Sequence, residues 1–460
     1  MPFKDAASVM IVRPAAEGFQ VAMLERSSKL PFLGGFWVFA GGRLDEGETP
    51  LACAVREAEE ECGLRLAPEA LVEAGRWKVP PYAPVRYDTR FFLTRVGADA
   101  QLVADGAGDE EGEIVAAEWL RPAEVLERWA RDEALLAPPT RVSLEALARA
   151  GADCEAEGWL TESAARVAAS HPAEGEWPGW IDFRPGIRML LVRTPTLPPA
   201  THTNCLVVGC GSELVVIDPA SPYPEEQARL DGLLDELASR GQRVREVLLT
   251  HHHHDHCSGA EHLARRLGVP IAAHANTWAR LEGRVPVDRP IEDGERIELP
   301  ADLPGARARR LRAILTEGHA DGHLVFLEEE TQSLIAGDMV AGVGTIVIDP
   351  PEGRMGEYLR SLRRVADLDA RLLYPSHGPP IGDPRGYAEH YIAHRLERER
   401  KVVAALEELG PCSVTDLVPR AYDDKPPQVY PLAARAALAH LEKLVEDGRA
   451  RVVDEEWALV

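Results

Sequence analysis

Residues 244 to 258 read Val-Arg-Glu-Val-Leu-Leu-Thr-His-His-His-His-Asp-His-Cys-Ser. Val244–Leu249 is a run of strand length, and Thr250 opens a polar segment after it. Four adjacent histidines suit a terminal tag, but these are internal and are followed by Asp255. On an extended segment His251 and His253 fall on one side, while Asp255 and His256 reach a neighbouring point. Neutral imidazole and carboxylate are the donors expected around zinc in a catalytic site. A closed set needs further donors, and three follow strand-like runs downstream: His319 after Thr316-Glu317-Gly318, Asp338 after Ala336-Gly337, and His377 after Pro375-Ser376.

Around this core the pattern alternates between β-like and α-like segments. Ile187–Val192, Thr203–Val208 and Leu214–Ile217 read as strands and Glu225–Arg240 as a helix, which predicts mixed α/β layers over 187–386. From 387 onward the pattern is helical: Tyr387–Leu409, a short helix capped by Ser413, and Pro431–Glu446. Arg449–Val453 and Trp457–Val460 then pair as a hairpin, so 387–460 reads as a small winged-helix-like domain. Upstream, Ala7–Val12 and Phe19–Leu24 read as strands, Thr49-Pro50 opens a helix, and a helical stretch runs from Leu120-Arg121-Pro122 to about Ala150. These belong to a domain over 1–166. The Pro-, Gly- and Trp-containing stretch from His171 to Gly186 reads as a linker, placed at 167–186.

A second constellation lies in the first domain. Gly42, Glu48, Arg56, Glu57, Glu60, Glu61, Gly63 and Leu64 fall within one window of 23 residues. On a helix Glu57, Glu60 and Glu61 share a face, where like charges repel by a few tenths of a kcal/mol per pair. A hard divalent cation relieves that repulsion and gains oxygen ligands, which suits Mg²⁺ or Mn²⁺. The bland alternative is a solvated acidic helix face.

The 460 residues carry a formal charge of −24 and are 45% hydrophobic, which excludes a disordered chain. No uncharged apolar run approaches the ~20 residues that span a bilayer, so no membrane partner is expected. Seven cysteines without paired spacing and no visible secretory signal suggest reduced thiols and a cytoplasmic location. The acidic balance argues against non-specific nucleic-acid binding. From Ala388 to Val460 there are 10 Lys and Arg against 14 Asp and Glu, a net of −4, which suits a packing or dimer module better than a DNA reader.

The window Gly42–Leu64 matches the Nudix box at every fixed position, with Ala58 and Leu64 in its apolar places. The resemblance implies a Nudix α/β/α sandwich that hydrolyses a nucleoside diphosphate linked to another moiety. By that likeness Glu57, Glu60 and Glu61 hold metal and carry the catalysis, Gly42 and Glu48 support them, and Arg56 orients a carboxylate. Glu113 is the candidate extra glutamate beyond the box, with Glu110 and Glu111 as rivals. Phe36–Gly42 and Arg86–Phe92 resemble the coenzyme A diphosphatase branch.

The histidine run and its later partners resemble the metallo-β-lactamase superfamily, an αβ/βα sandwich. That likeness implies that His251, His253 and His319 bind one metal, that Asp255, His256 and His377 bind a second, and that Asp338 bridges them. His252 and His254 fill variable places. His323 is outside the motif, with a substrate role as its alternative. Two Zn²⁺ ions, or Mn²⁺ or Fe, are implied, and Asp255 is expected to orient the attacking water and accept its proton. Thr201–Gly209, Ala336–Thr345 and the tail from Tyr391 are similar to the β-lactamase-like-protein-2 endoribonuclease type. A metal-dependent hydrolase with two sites follows: diphosphate hydrolysis in the first domain, and phosphodiester or RNA-type hydrolysis in the second. The alternatives are thioester hydrolysis of glyoxalase-II, acyl-carrier or acyl-CoA type at the second site, and a non-catalytic scaffold. Small diphosphates and esters are the expected partners; RNA is a further one that the charge does not favour, and a dimer is compatible with the tail.

Overall fold

The computed structural model describes residues 3–30, 32–80, 85–103, 112–173, 179–454 and 456–460. The chain divides into two compact units, Met1–Leu190 and Leu191–Val460.

The first unit contains β1 (Phe3–Ala15), β2 (Gly18–Arg26), β3 (Phe36–Val38), β4 (Ala40–Arg43), α1 (Pro50–Cys62), β5 (Val72–Lys78), β6 (Arg86–Arg95) and β7 (Ile114–Leu120). It continues through α2 (Pro122–Ala130), β8 (Leu135–Leu136), α3 (Pro138–Ala148), α4 (Trp159–Ser170), β9 (Ile181–Arg184) and the start of β10 (Ile187–Arg193). One sheet runs β5-β6-β1-β2-β3-β8, with β4 also on β1 and β7 also on β2. Strand alternation explains the layers. Val9 and Ile11 face Cys53, Ala54 and Ala58 of α1. Met10 and Val12 join the opposite cluster with Val125, Leu144 and Val167 of α2, α3 and α4. Helix α1 starts as expected: the Thr49 hydroxyl accepts the Ala52 N–H at 3.2 Å, and Pro50 is the first helical residue.

Two expectations change here. The helical stretch after Leu120 is two helices with β8 between them, because Pro138 restarts the chain instead of continuing α2. The expected linker at 167–186 is largely structured among the described residues. Residues 167–170 end α4, His171 is buried with its ring 3.0 Å from the Ser143 hydroxyl, and 181–184 form β9. The apolar residues decide this: Phe183 is fully buried edge-on to Phe36 at 5.8 Å, and its carbonyl accepts the Trp129 indole N–H at 3.1 Å.

The second unit continues with β11 (His202–Val208), β12 (Glu213–Ile217), α5 (Pro224–Ser239), β13 (Arg243–Leu248), α6 (His254–Cys257), α7 (Ala260–Leu267), β14 (Ile271–Ala273), α8 (Ala275–Leu281) and β15 (Arg289–Pro290). Next come β16 (Arg296–Leu299), β17 (Arg309–Leu315), β18 (Leu324–Glu328), β19 (Ser333–Ile335), α9 (Met355–Ala366) and β20 (Leu372–Tyr374). Strands β11 to β15 pair in the order β15-β14-β13-β12-β11, and a second sheet runs β16-β17-β18-β19-β20. The two sheets are stitched where Leu324 N–H donates to the Thr250 carbonyl and Asn204 N–H donates to the Ser376 carbonyl, at 2.9 and 2.8 Å. Each of these pairs lies at strand ends near a histidine of the expected cluster.

The tail forms α10 (Pro384–Leu409), α11 (Val414–Ala421), α12 (Tyr430–Glu446) and the hairpin β21 (Ala450–Val453) with β22 (Glu456–Leu459). Cys412 pairs with Trp457 as a further bridge, and both lie in a small core with Leu417, Leu441 and Leu444. This is the winged-helix order. Helix α10 also belongs to the core of the preceding sheet. The Tyr387 and Tyr391 hydroxyls donate to the Ala341 carbonyl at 2.9 and 3.0 Å, and Ala341 N–H donates to the Tyr391 oxygen at 3.0 Å. Arg395 donates to the Ile346 carbonyl at 2.5 Å. No helix among the described residues is long and apolar enough to cross a membrane.

Tyr391→Phe therefore leaves the buried Ala341 N–H without its acceptor. The expected cost is about 1–3 kcal/mol, read as a lower urea midpoint for the second unit; an unchanged midpoint would show that the 341–347 loop does not depend on α10.

Candidate metal centre and candidate diphosphate site

At the end of β13 the chain turns out of the sheet and presents His251 and His253, and α6 carries Asp255 and His256. His319 follows β17, Asp338 follows β19 and His377 follows β20. All seven converge. His251 Nε2 and His319 Nε2 lie 3.0 and 3.2 Å from His253 Nδ1. Asp338 Oδ1 is 3.5 Å from both His256 Nε2 and His377 Nε2, and its Oδ2 is 3.5 Å from His319 Nε2. Asp255 lies 3.5 Å from His377 Nε2. His251, His253 and His319 thus form one group, Asp255, His256 and His377 a second, and His251, His256 and Asp338 a third between them.

The outer bonds settle which nitrogen of each ring faces inward. His319 Nδ1–H donates to the Val347 carbonyl at 2.9 Å, and His377 Nδ1–H to the His202 carbonyl at 3.0 Å. His256 Nδ1–H donates to Asp218 Oδ2 at 2.9 Å. The Thr250 hydroxyl donates to the same carboxylate at 2.6 Å, so its lone pair takes the His251 Nδ1–H at 3.0 Å. The Nε2 of each of these four rings is left facing the cluster. His256 Nε2 and Asp338 Oδ1 are buried with no hydrogen-bond partner. Burial, then repulsion from neighbouring imidazoles, holds His251 well below its usual pKa; burial and His319 lower His253 to about 2. Burial opposes charge on His256 as well, but Asp338 and Asp255 outweigh it and raise the pKa. Imidazole Nε2 atoms converging on a shared carboxylate, which already draws positive charge onto His256, fit a pair of divalent ions.

Asp218 was not singled out from the sequence. Its only local signal is an acid directly after the apolar strand β12. It is 2% exposed, adopts φ +49°, and also accepts the Thr250 N–H at 2.8 Å. A non-glycine residue in that region is a stored local cost found at functional sites. His323 does not face substrate space: it is fully buried, its Nδ1 meets the Thr316 hydroxyl at 2.9 Å, and its Nε2 accepts the Asp338 N–H at 3.0 Å. A Cβ on Gly337 would stand 2.5 Å from that Nε2, so only glycine fits between His323 and Asp338. His252 turns to Glu352 at 3.3 Å, and His254 to Arg284 at 3.3 Å. Glu317 ties its loop by accepting the Gly322 N–H at 3.0 Å.

In the first unit Glu57, Glu60 and Glu61 of α1 line a cavity of about 650 Å³ together with Arg56, Gly42 and Glu113. Arg56 binds Glu48 at 3.0 Å and both Glu57 and Glu60 at 2.8 Å. Glu61 accepts the Gly41 N–H at 2.9 Å; burial pushes its carboxyl up to about 7. A Cβ on Gly42 would sit 2.1 Å from Glu57 Oε1, so the glycine makes room for that carboxylate. The same cavity is also lined by Trp77, Phe91, Phe32 and Tyr87; the last two rings are 5.9 Å apart. Glu113 is exposed and 4.0 Å from Arg26. Glu110 and Glu111 lie outside the described residues.

Comparison with known proteins agrees with both constellations. Residues 198–377 match the family model of the metallo-beta-lactamase superfamily, residues 2–138 the NUDIX domain, and residues 413–457 the beta-lactamase associated winged helix domain. The Beta-lactamase-like protein 2 homolog of Caenorhabditis elegans is 30% identical over 252 residues, covering 54% of this chain and 79% of that protein. An atrochrysone carboxyl ACP thioesterase of Aspergillus fumigatus is 32% identical over 208 residues, covering 45% of this chain and 60% of that one. A beta-lactamase domain protein from Burkholderia ambifaria shares the fold, with a TM-score of 0.53 at 23% identity, over 63% of this chain and 96% of that structure. Both catalytic-type domains are hydrolase domains, and metal dependence is typical of the second. The chain is a hydrolase that belongs to the metallo-beta-lactamase superfamily, in the line of the beta-lactamase-like protein 2 homologues, with a NUDIX domain ahead of that core.

Proposed function

We propose that the chain carries two separate hydrolytic sites. The first cleaves a nucleoside diphosphate linked to another group, with coenzyme A the leading substrate; the second cleaves an ester-type bond with two divalent ions. The observation that carries the second assignment is the inward set of Nε2 atoms around Asp338, with two buried atoms lacking any partner. The first rests on the acidic face of α1 sharing one cavity with aromatic side chains that suit a nucleobase. Complete donor sets at both places speak against a non-catalytic scaffold. The seven unpaired cysteines, six of them buried, support a cytoplasmic location.

Divalent ions, when bound, neutralise developing charge, polarise the attacked oxygen and make water acidic enough to attack at neutral pH. The chain's own groups do the rest. His251, His253 and His319 would hold one ion of the second site, and Asp255, His256 and His377 the other, with Asp338 touching both. Asp255 faces the cavity, where its carboxylate orients the attacking water and takes its proton. At the first site Arg56 fixes the Glu57 and Glu60 carboxylates, and Glu61 is fixed by the Gly41 amide, so the charges stay on one face.

The resemblance to an endoribonuclease type implies a phosphodiester at the second site. The cavity there, about 450 Å³, favours the thioester reading instead. It is lined by Asp349 and Glu352 as well as His253, Asp255, His319, Asp338 and His377, and among the described residues its cationic lining apart from histidine is Arg435. An RNA backbone would meet more carboxylate than guanidinium there. In thioester hydrolysis water adds to the carbonyl carbon, the C–S bond breaks, and acid and thiol leave without net oxidation.

With zinc or manganese supplied, the purified chain is expected to hold about two transition-metal ions in the second unit. Asp338→Ala should lose them, while His252→Ala should keep both; elemental analysis decides, and equal loss from the two variants would refute the ligand set. Asp218→Asn should lower metal affinity by about 10–100-fold, measured by chelator competition. Glu60→Gln should cut diphosphate hydrolysis by about a hundredfold or more, assayed with coenzyme A and nucleoside diphosphate sugars; turnover at the parent rate would sink the first assignment.

A further inference from the structure

Leu432, Arg435 and Ala439 of α12 are spaced three and four residues apart, so they share one helix face. Ala439 is buried in the core of the preceding domain with Met355 and Tyr358 of α9. That anchor presents Leu432 and Arg435 to the cavity that holds His253, Asp255, His319, Asp338 and His377. The winged-helix module thus supplies part of the lactamase-fold pocket.

Among the described residues Arg435 is the one Lys or Arg lining a cavity whose carboxylates are Asp255, Asp338, Asp349 and Glu352. Asp349 aims it: Nε donates to Asp349 Oδ1 at 2.6 Å, and Nη2 bonds Oδ2. Both bonds use the same edge of the guanidinium, so Nη1 is turned to the outside of the pair. The same cavity is lined by the mostly apolar segment 195–200, where Leu197 is 58% exposed. An exposed leucine and a pre-oriented guanidinium on one cavity suit a ligand with an apolar body and a negative group.

We propose that Arg435 is a specificity-determining residue that selects, for the second site, small acyl thioesters bearing a carboxylate or phosphate. The inference rests on the ester-hydrolase reading of this site. The competing role is a plain strut between α12 and the 347–352 segment. The pair is more than a third exposed and adds little to folding, so Arg435→Ala should remain folded.

The test uses the zinc-loaded full chain and three unreactive thioether analogues of one acyl thioester, ending in a carboxylate, its methyl ester, or a phosphate. Calorimetric titration of the parent should favour the charged analogues by about tenfold. Arg435→Ala should bind charged and neutral analogues alike, and Arg435→Lys should recover part of the preference. Tighter binding of the phosphate or of the carboxylate form then identifies which anion is read. Equal weakening for all three in Arg435→Ala would mean a strut and overturn the proposal, as would a parent that shows no charge preference or that binds a single-stranded RNA oligonucleotide more tightly than any analogue. Turnover of the matching thioesters is followed in parallel. Charge-selective binding without turnover keeps the role of Arg435 and removes the hydrolase reading; turnover without charge selectivity does the reverse.

Discussion

One buried carboxylate sets the geometry on which the second site depends. Asp218 accepts the Thr250 amide, the Thr250 hydroxyl and the His256 ring at 2.8, 2.6 and 2.9 Å. Because the hydroxyl proton is committed to Asp218, the Thr250 oxygen can only accept from His251. A single acid therefore fixes the tautomer of two imidazoles, one in each half of the cluster. Its position follows from sheet pairing: β12 runs parallel to β13 with Ile217 opposite Leu248, and the Asp218 amide donates to the Leu248 carbonyl at 3.0 Å. The left-handed backbone at Asp218 is the local cost of turning that carboxylate under the histidine run.

The other two imidazoles are set by main-chain carbonyls, which ties the site to distant parts of the chain. Val347, the acceptor for His319, lies in the segment that α10 holds through Tyr387, Tyr391 and Arg395. The tail is therefore a support for the site, and its net charge of −4 needs no nucleic-acid partner to make sense. A helix whose polar tips reach buried carbonyls contributes through satisfied hydrogen bonds, not through a basic surface.

The clustering of the seven residues was legible in the sequence because His251, His253, His319, Asp338 and His377 follow close on strand ends and Asp255 and His256 sit on the short helix just after, where spacing maps onto geometry. The same holds for Glu57, Glu60 and Glu61, whose spacing is a helix face. What escaped is non-local. Asp218 is 33 residues before His251, and only the β12–β13 pairing brings it near. Glu352 meets His252 across 100 residues of chain. The stretch from 171 to 186 misled for a different reason: proline, glycine and tryptophan suggest a connector, but Ile181 and Phe183 carry enough apolar surface to bury. The break between α2 and α3 was hidden by composition, since alanine, leucine and glutamate favour helix on both sides of Pro138.

The two sites meet the problem of assembling like side chains in opposite ways. At the NUDIX helix the donors are carboxylates, Glu60 largely exposed and Glu57 bound to Arg56, so repulsion is screened by water and by a guanidinium that can stay in place. Hard oxygen donors in a wet site suit ions that keep their own water. At the lactamase-fold site His251 and His256 are fully buried and His319 nearly so, and burial holds His251, His253 and His319 below their usual pKa. Nitrogen donors in a dry site suit borderline ions that shed water readily. Crowded donors are thus tolerated by a guanidinium and solvent in one domain, and by burial and outer hydrogen bonds in the other.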